Sequence, residues 1–429
     1  MKGSIWTVAG FGSEMVLRMT SSLILTRIFL PEIFGTMAIV TALLVGMEMI
    51  SEVGVRSSLI QNPKGREAYF FETAWTVQIF RGFILWLLLY LFTDPLANYF
   101  DEPLLKSLLP IASLALIFKG FASVHIHLYT RDLKVKKLVI LKVLTQTFSL
   151  LVVIVLALYY KNIWAIVIGS LCGALLNTLL SFSLFTQPKN RLRLDKFALQ
   201  DIFKLGKWLL FATIFHFLIG NGDRLLLGGL ITKTEMGLYN LAAMFTQIPI
   251  SILAALSGNI LMPFLAKSFN DNPDDFNEKF NDLLKKILLY MFPIVACLAI
   301  LGDFIIRFLY PSSFHNAGKI VQLLAVASFF QVVSFALIPV FLARGDSFRH
   351  MLAYFSLLVL YLPGIFLGFK FYGMWGSLYG MFIAQLMWLP IVIILANTYI
   401  KLDLLNIAKK LGFYLLITTL VIFTFNRIL

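Results

Sequence analysis

Residues 138–160 read LVILKVLTQTFSLLVVIVLALYY: 23 positions with one charge, Lys142, near their start. A stretch of about 20 apolar residues wound as an α-helix crosses the roughly 30 Å of a bilayer's hydrocarbon. There is no strict alternation here to suggest a half-buried strand, and no Gly or Pro to break the run. Working outward, the next stretch, Ile163–Phe185, repeats the pattern after a gap of only Lys161 and Asn162. The preceding basic run, Arg131 to Lys137, marks an aqueous loop on the other side.

The same reading carries across all 429 residues. Hydrophobic residues make up 59% of the chain and charged residues 14%, against about 45–50% and 25% for soluble domains. Twelve spans are expected: Ile5–Leu30, Phe34–Leu59, Tyr69–Phe92, Leu104–Leu128, Leu138–Tyr160, Ile163–Phe185, Trp208–Ile231, Met236–Ala266, Leu283–Leu309, Ile320–Leu342, Met351–Phe371 and Met374–Tyr399. A thirteenth segment, Leu411–Phe425, is shorter and either spans or lies at the interface. The predicted class is therefore an all-α polytopic membrane protein. Only two cysteines, Cys172 and Cys297, sit inside apolar runs, which excludes a disulfide scaffold or a zinc module. Runs this long and continuous are not those of a β-barrel. The first stretch holds Glu14 and Arg18 and lacks a small-residue cleavage site, so it reads as a retained helix rather than a signal peptide.

The formal charge of +14 is topological. Basic residues concentrate in alternate loops: Lys64 and Arg66; Arg131, Lys134, Lys136 and Lys137; Lys189, Arg191, Arg193 and Lys196; Lys279, Lys285 and Lys286; Arg344 and Arg349; Lys401, Lys409 and Lys410. The intervening loops are short and carry no more than one lysine each, the longest being Thr93–Pro103. The positive-inside rule then places the N-terminus in the cytoplasm, and no nucleic-acid partner is needed to account for the charge. The expected domains are a six-helix bundle over 1–185, a cytoplasmic linker over 186–207, a second six-helix bundle over 208–399 and an extension over 400–429. Phe34-Gly35 and Met236-Gly237 open corresponding long helices about half a chain apart, and six spans per half make the repeat parallel.

Charges inside spans carry the functional reading, because each costs about 2.5–3.5 kcal/mol at the bilayer centre on insertion scales. Glu14 and Arg18 share one face of the first span; Glu48, Glu52 and Arg56 form a ladder on the second; Arg81 stands mid-span in the third. Gly220-Asn221-Gly222-Asp223-Arg224 loosens the seventh span beside two charges. Lys142 and Arg27 lie near span ends, where snorkelling accounts for them, and Glu72 is expected at the interface. Lys119 is deeper. Structural ion pairs account for any one of these couples as well as function does. The number of charges on the first two spans favours a hydrated cleft. Histidines are scattered, and no hydrolase, kinase, P-loop or zinc motif is present, so neither a catalytic residue nor a metal site is expected.

The stretches Leu25-Thr26-Arg27-Ile28-Phe29-Leu30-Pro31-Glu32-Ile33-Phe34-Gly35, Glu52-Val53-Gly54-Val55, Asp223-Arg224-Leu225-Leu226-Leu227-Gly228 and Met236-Gly237-Leu238-Tyr239-Asn240-Leu241-Ala242 resemble signatures of the bacterial polysaccharide-transporter (Wzx-like) flippases, a branch of the multidrug/oligosaccharidyl-lipid/polysaccharide exporter superfamily. That resemblance implies two bundles around a cleft opening alternately to each side. It also implies a substrate of undecaprenyl-pyrophosphate-linked oligosaccharide, flipped across a bacterial inner membrane for surface polysaccharide such as O-antigen or exopolysaccharide. Many relatives have fourteen helices, more than this chain accommodates. On this reading Arg18, Arg81 and Arg224 contact the anionic head group. Glu14, Glu48, Glu52 and Asp223 hold those arginines or bind a coupling cation, H+ or Na+; no other cofactor is implied, and a monomer is expected. The competing readings are a drug/cation antiporter of the same superfamily, which would want an acidic cleft, and a membrane glycan polymerase or glycosyltransferase, which would want a larger outer loop.

The topology has a direct check. A cysteine at Asn98 is expected to react with an impermeant maleimide in intact cells, and one at Lys136 only after permeabilisation; the opposite pattern inverts the orientation.

Overall fold

The computed structural model describes residues 2–51, 54–132, 134–185, 191–257, 261, 265 and 273–428. All regular structure among the described residues is helical. The chain divides into two compact units, residues 1–221 and 222–429. Among the described residues nine helices are long and apolar enough to cross a bilayer, or ten when a pair bent by 62° is taken as one span.

In the first unit, α1 (Lys2–Leu25) and α2 (Pro31–Ile50) are joined by a tight turn, with Pro31 at the start of α2 where its missing N–H costs nothing. A short α3 (Val55–Gln61) follows, then α4 (Ala68–Leu91) and the small α5 (Thr93–Tyr99). The expected fourth span is in fact three pieces: α6 (Leu105–Ala112), α7 (Leu114–Phe121) and α8 (His125–Arg131), the last carrying the 62° bend. Two straight helices, α9 (Val135–Tyr160) and α10 (Trp164–Leu184), complete the bundle. α10 packs on α9 and α7, and α1 on α9.

The next helix, α11 (Lys196–Gly228), runs unbroken through the unit boundary at 221/222. Its first residues lie in the segment expected to be a linker, of which 186–190 are outside the described residues.

In the second unit, α12 (Lys233–Leu256) opens with a capping box in which Thr232 and Glu235 satisfy each other's backbone N–H groups. The remainder of the expected eighth span, toward Ala266, lies mostly outside the described residues. α13 (Pro273–Leu309), α14 (Ala317–Leu337) and the short α15 (Pro339–Ala343) follow. α14 is the core helix, packed by α12, α13 and α16; 72% of the apolar window over 312–343 is buried. α16 (Ser347–Asn397) folds back on itself at Tyr372–Gly373, the turn expected between the eleventh and twelfth spans, with Gly373 in the left-handed region at φ +58°. Its arms, 347–371 and 374–397, meet through glycines. A Cβ at Gly380 would lie 2.0 Å from the Gly364 carbonyl oxygen, and one at Gly376 equally close to that of Gly368. Such small-residue contacts let helix backbones approach where lipid offers no hydrophobic driving force between helices. Asp346 caps α16 by accepting from the Arg349 N–H at 2.9 Å and the Tyr399 hydroxyl at 2.5 Å. These bonds hold its carboxyl down to about 2. α17 (Leu404–Ile428) packs on α13, anchored by Asn281, whose side chain donates to the Lys401 carbonyl at 2.9 Å and accepts from the Asp403 N–H at 3.1 Å.

The glycine contact sets an expectation for stability. Gly380→Ala is expected to push the arms of α16 apart at a cost of about 1–3 kcal/mol. It should be read as a lower melting temperature of the detergent-purified protein, with Gly412→Ala, which meets open space, as the unaffected control.

Candidate functional site

Helix breaks build the site. α2 stops at Ile50, and the chain turns through Gly54, left-handed at φ +82°, before α3. α7 stops at Phe121, and α8 departs at 62°. Each break frees backbone groups that lipid cannot satisfy. Side chains of neighbouring helices take them. The Gln78 amide on α4 donates to the carbonyls of Lys119, Gly120 and Ala122, each at 3.1 Å. Trp75 Nε1 donates to the Phe121 carbonyl at 3.1 Å, and Thr178 on α10 to the Phe118 carbonyl at 2.7 Å. Ser181 Oγ accepts from the Ser123 N–H at 2.9 Å. Gln78 reaches those carbonyls because α4 and α7 touch through Gly82 and Gly120: a Cβ on Gly82 would come within 2.7 Å of the Leu116 carbonyl oxygen. At the other break the Arg81 guanidinium donates to the Glu48 carbonyl and, at 2.9 Å, to Ser51 Oγ. A cation is well placed there, at the negative end of α2.

Between the two breaks lies a cavity of about 320 Å³. Its charged lining is Glu48, Arg56, Arg81 and Lys119, with Gln78, Asn177 and His127 beside them. Lys119 Nζ sits 2.7 Å from the Glu48 carboxylate. Among the described residues, one carboxylate against three cations leaves the lining net positive. Arg56, on α3, is exposed and has no hydrogen-bond or ion-pair partner among the described residues. Its guanidinium can present a planar fork of donors to an anion. The chemistry available is recognition of a phosphate or carboxylate, with Gln78 and Asn177 able to bond hydroxyls.

Of the residues expected from the sequence, Arg81 and Glu48 meet here. Glu14 does not pair with Arg18: it lies 2.5 Å from Lys142 Nζ on α9. Lys142 is thus a partner rather than a snorkelling side chain. Arg18 is exposed on α1, has no polar partner among the described residues, and does not line the cavity. Glu52 lies outside the described residues. Glu72, expected at the interface, is buried. Asp223 and Arg224 belong to the second unit. Asp223 is buried and accepts from the Tyr239 hydroxyl, with Tyr361 alongside, while its Oδ1 has no hydrogen-bond partner among the described residues. Arg224 Nε donates to Asn240 Oδ1 at 3.3 Å. Sequence reasoning passed over Gln78 and Asn177; the signal for Gln78 was a lone amide in an apolar span facing a Lys-Gly pair.

Comparison with known proteins bears on this arrangement. Residues 24–319 match the family model described as polysaccharide biosynthesis protein. The chain belongs to that family. The resemblance read from residues 25–35 and 223–242 is thereby borne out. Within the family's wider relatives, the chain is 22% identical over 299 residues to the teichuronic acid biosynthesis protein TuaB of Bacillus subtilis, covering 70% of this chain and 62% of TuaB. It is 21% identical over 436 residues to the lipopolysaccharide biosynthesis protein WzxC of Escherichia coli, covering 98% and 86%. Among solved structures, the lipid II flippase MurJ in an inward closed conformation superposes with a TM-score of 0.79 at 15% identity, over 99% of this chain and 98% of MurJ. This family member therefore has the polytopic fold of that flippase.

The helix breaks give a stability test. Gln78→Leu keeps the volume and removes the donor to three carbonyls. It is expected to destabilise the protein by about 1–3 kcal/mol, read as a lower thermal midpoint by fluorescence-detected size exclusion, with Gln78→Glu no better.

Proposed function

We propose that the protein flips undecaprenyl-pyrophosphate-linked oligosaccharide from the cytoplasmic to the outer leaflet of a bacterial inner membrane by alternating access, with its N-terminus in the cytoplasm. The observation that carries this reading is the net-positive cavity of the first unit, with Arg56 unpaired among the described residues. A pyrophosphate leaving water needs charge-assisted donors in exchange, and arginine supplies them in bidentate form. Sugar hydroxyls need amides, which Gln78 and Asn177 offer on the same wall. No bond of the substrate is made or broken in this scheme, so the protein acts as a transporter rather than an enzyme. The head-group contacts shift accordingly toward Arg56, Lys119 and Arg81, and Arg224 does not line this cavity. Coupling to an H+ or Na+ gradient, on this proposal, falls on Asp223, whose buried Oδ1 lacks a hydrogen-bond partner among the described residues.

The cation-antiporter reading is disfavoured by the same cavity, since an excess of three cations over one carboxylate repels a cationic drug. The polymerase reading lacks a housing for chemistry: the longest expected outer loop contains only the short α5.

The test is a reconstituted assay with lipid-linked oligosaccharide in proteoliposomes. Loss of a charge-assisted contact corresponds to roughly a tenfold effect or more. Arg56→Gln and Lys119→Gln are each expected to slow flipping by about that factor at wild-type yield, with Arg56→Lys recovering part of it. Wild-type rates in both Gln variants would remove the cavity from the transport path.

A further inference from the structure

The segment 191–204 is a strap with two different faces. Its inner face is fastened to the helices that carry the cavity. The Arg193 and Asp195 N–H groups donate to Thr76 and Thr73 on α4, each at 3.0 Å. Asp201 accepts from the Asn62 amide at 3.1 Å. Ala198 and Ile202 are fully buried in one cluster with Val55 and Leu59 of α3, Val124 just before α8 and Leu128 of α8.

The outer face has the opposite character. Leu192, Leu194, Phe197 and Phe203 are 70%, 59%, 75% and 51% exposed, and Arg191, Arg193, Lys196 and Lys204 are exposed among them. Both acids of the segment are engaged by hydrogen bonds: Asp195 Oδ1 accepts from the Phe197 and Ala198 N–H groups at 3.0 Å, and Asp201 holds Asn62. What is left exposed is cationic and apolar, with Gln200 the one neutral polar side chain among them. Large apolar side chains interleaved with bases match the headgroup level of a bilayer, where the apolar groups enter the acyl boundary and the bases meet lipid phosphates. Zwitterionic lipid would satisfy the apolar groups alone; four exposed bases against two acids already engaged in hydrogen bonds call for net negative charge.

We propose that residues 191–204 form a docking surface for anionic phospholipid, seated at the headgroup level, and that this contact presses the strap onto α3 and α8. The flipping reaction is not assumed. Because α3 carries Arg56 and α8 carries His127, leaflet charge then bears on the helices that frame the cavity.

The experiment places a bimane fluorophore on Phe197→Cys in the full chain, with Cys172→Ser and Cys297→Ser, in nanodiscs containing a fixed fraction of doxyl-labelled phosphatidylcholine. Adding phosphatidylglycerol is expected to increase quenching roughly two-fold. Combined Arg191→Gln, Arg193→Gln, Lys196→Gln and Lys204→Gln should abolish the increase, and exchange of Arg for Lys and Lys for Arg at the four positions should keep it. If the Gln variant does not assemble, high salt on the unaltered strap replaces it and should cancel the phosphatidylglycerol effect by screening. Quenching that is indifferent to phosphatidylglycerol, or an effect that survives both charge removal and salt, overturns the proposal and leaves the strap an apolar packing element.

Discussion

In hydrocarbon a backbone N–H or carbonyl has no solvent to fall back on, so every interruption of a membrane helix must be met by another part of the protein. The first unit obeys this at two places. At the α7–α8 bend, Gln78, Trp75, Thr178 and Ser181 take up what the helix releases. At the end of α2, Arg81 caps the released carbonyl of Glu48. The cavity is the consequence. Two helices that bend away from their axes leave space between them, and the groups that repair the bends are polar, so the space is lined by polar and charged side chains. Arg81 therefore has two roles at once. It closes a helix end and contributes charge to the lining.

Charge bookkeeping within that space distinguishes its residues. Lys119 is matched by Glu48 at 2.7 Å, and Arg81 is engaged by backbone and Ser51. Both are preorganised, held in place before any ligand arrives. Arg56 is on a seven-residue helix entered through a left-handed glycine and supported from beneath by Ala198 and Ile202 of the strap. A guanidinium on so short an element can swing toward an anion at little cost to the bundle. By contrast the second unit is built around a helix, α14, buried over most of its surface, and a hairpin closed by glycine contacts. There the polar feature is local, with Asp223 tied to Tyr239 and Arg224 to Asn240.

The membrane class, the reversal at Tyr372–Gly373 and the cavity position of Arg81 were all legible in the sequence, since each depends on local signals: run length, a Gly turn, and a charge deep in a span. Partners were not. A four-residue spacing shows which side chains share a helix face, and it suggested Glu14 with Arg18. The carboxylate instead meets Lys142, more than a hundred residues away, because α1 packs on α9. Glu48 likewise finds Lys119 across helices rather than Arg56 along its own ladder, since the break at Gly54 ends the periodicity on which that ladder rested. Gln78 stood out only as a lone amide in an apolar span, and its importance lies in carbonyls freed by a bend that no proline or paired glycine announces. The family signatures at 25–35 and 223–242 supplied most of the identity and lie away from the cavity lining; the short one at 52–55 reaches it only at Val55.

The central claim is that the charges at the broken spans face water and not dry protein. The most direct measurement is thiol reactivity at the cavity wall. With Cys172→Ser and Cys297→Ser as background, Asn177→Cys is exposed to a small, charged, membrane-impermeant thiol reagent in membrane vesicles open to both sides. The account predicts modification in the folded protein, slowed by an added lipid-linked pyrophosphate. A cysteine that reacts only after denaturation, under every condition that supports transport, would contradict it.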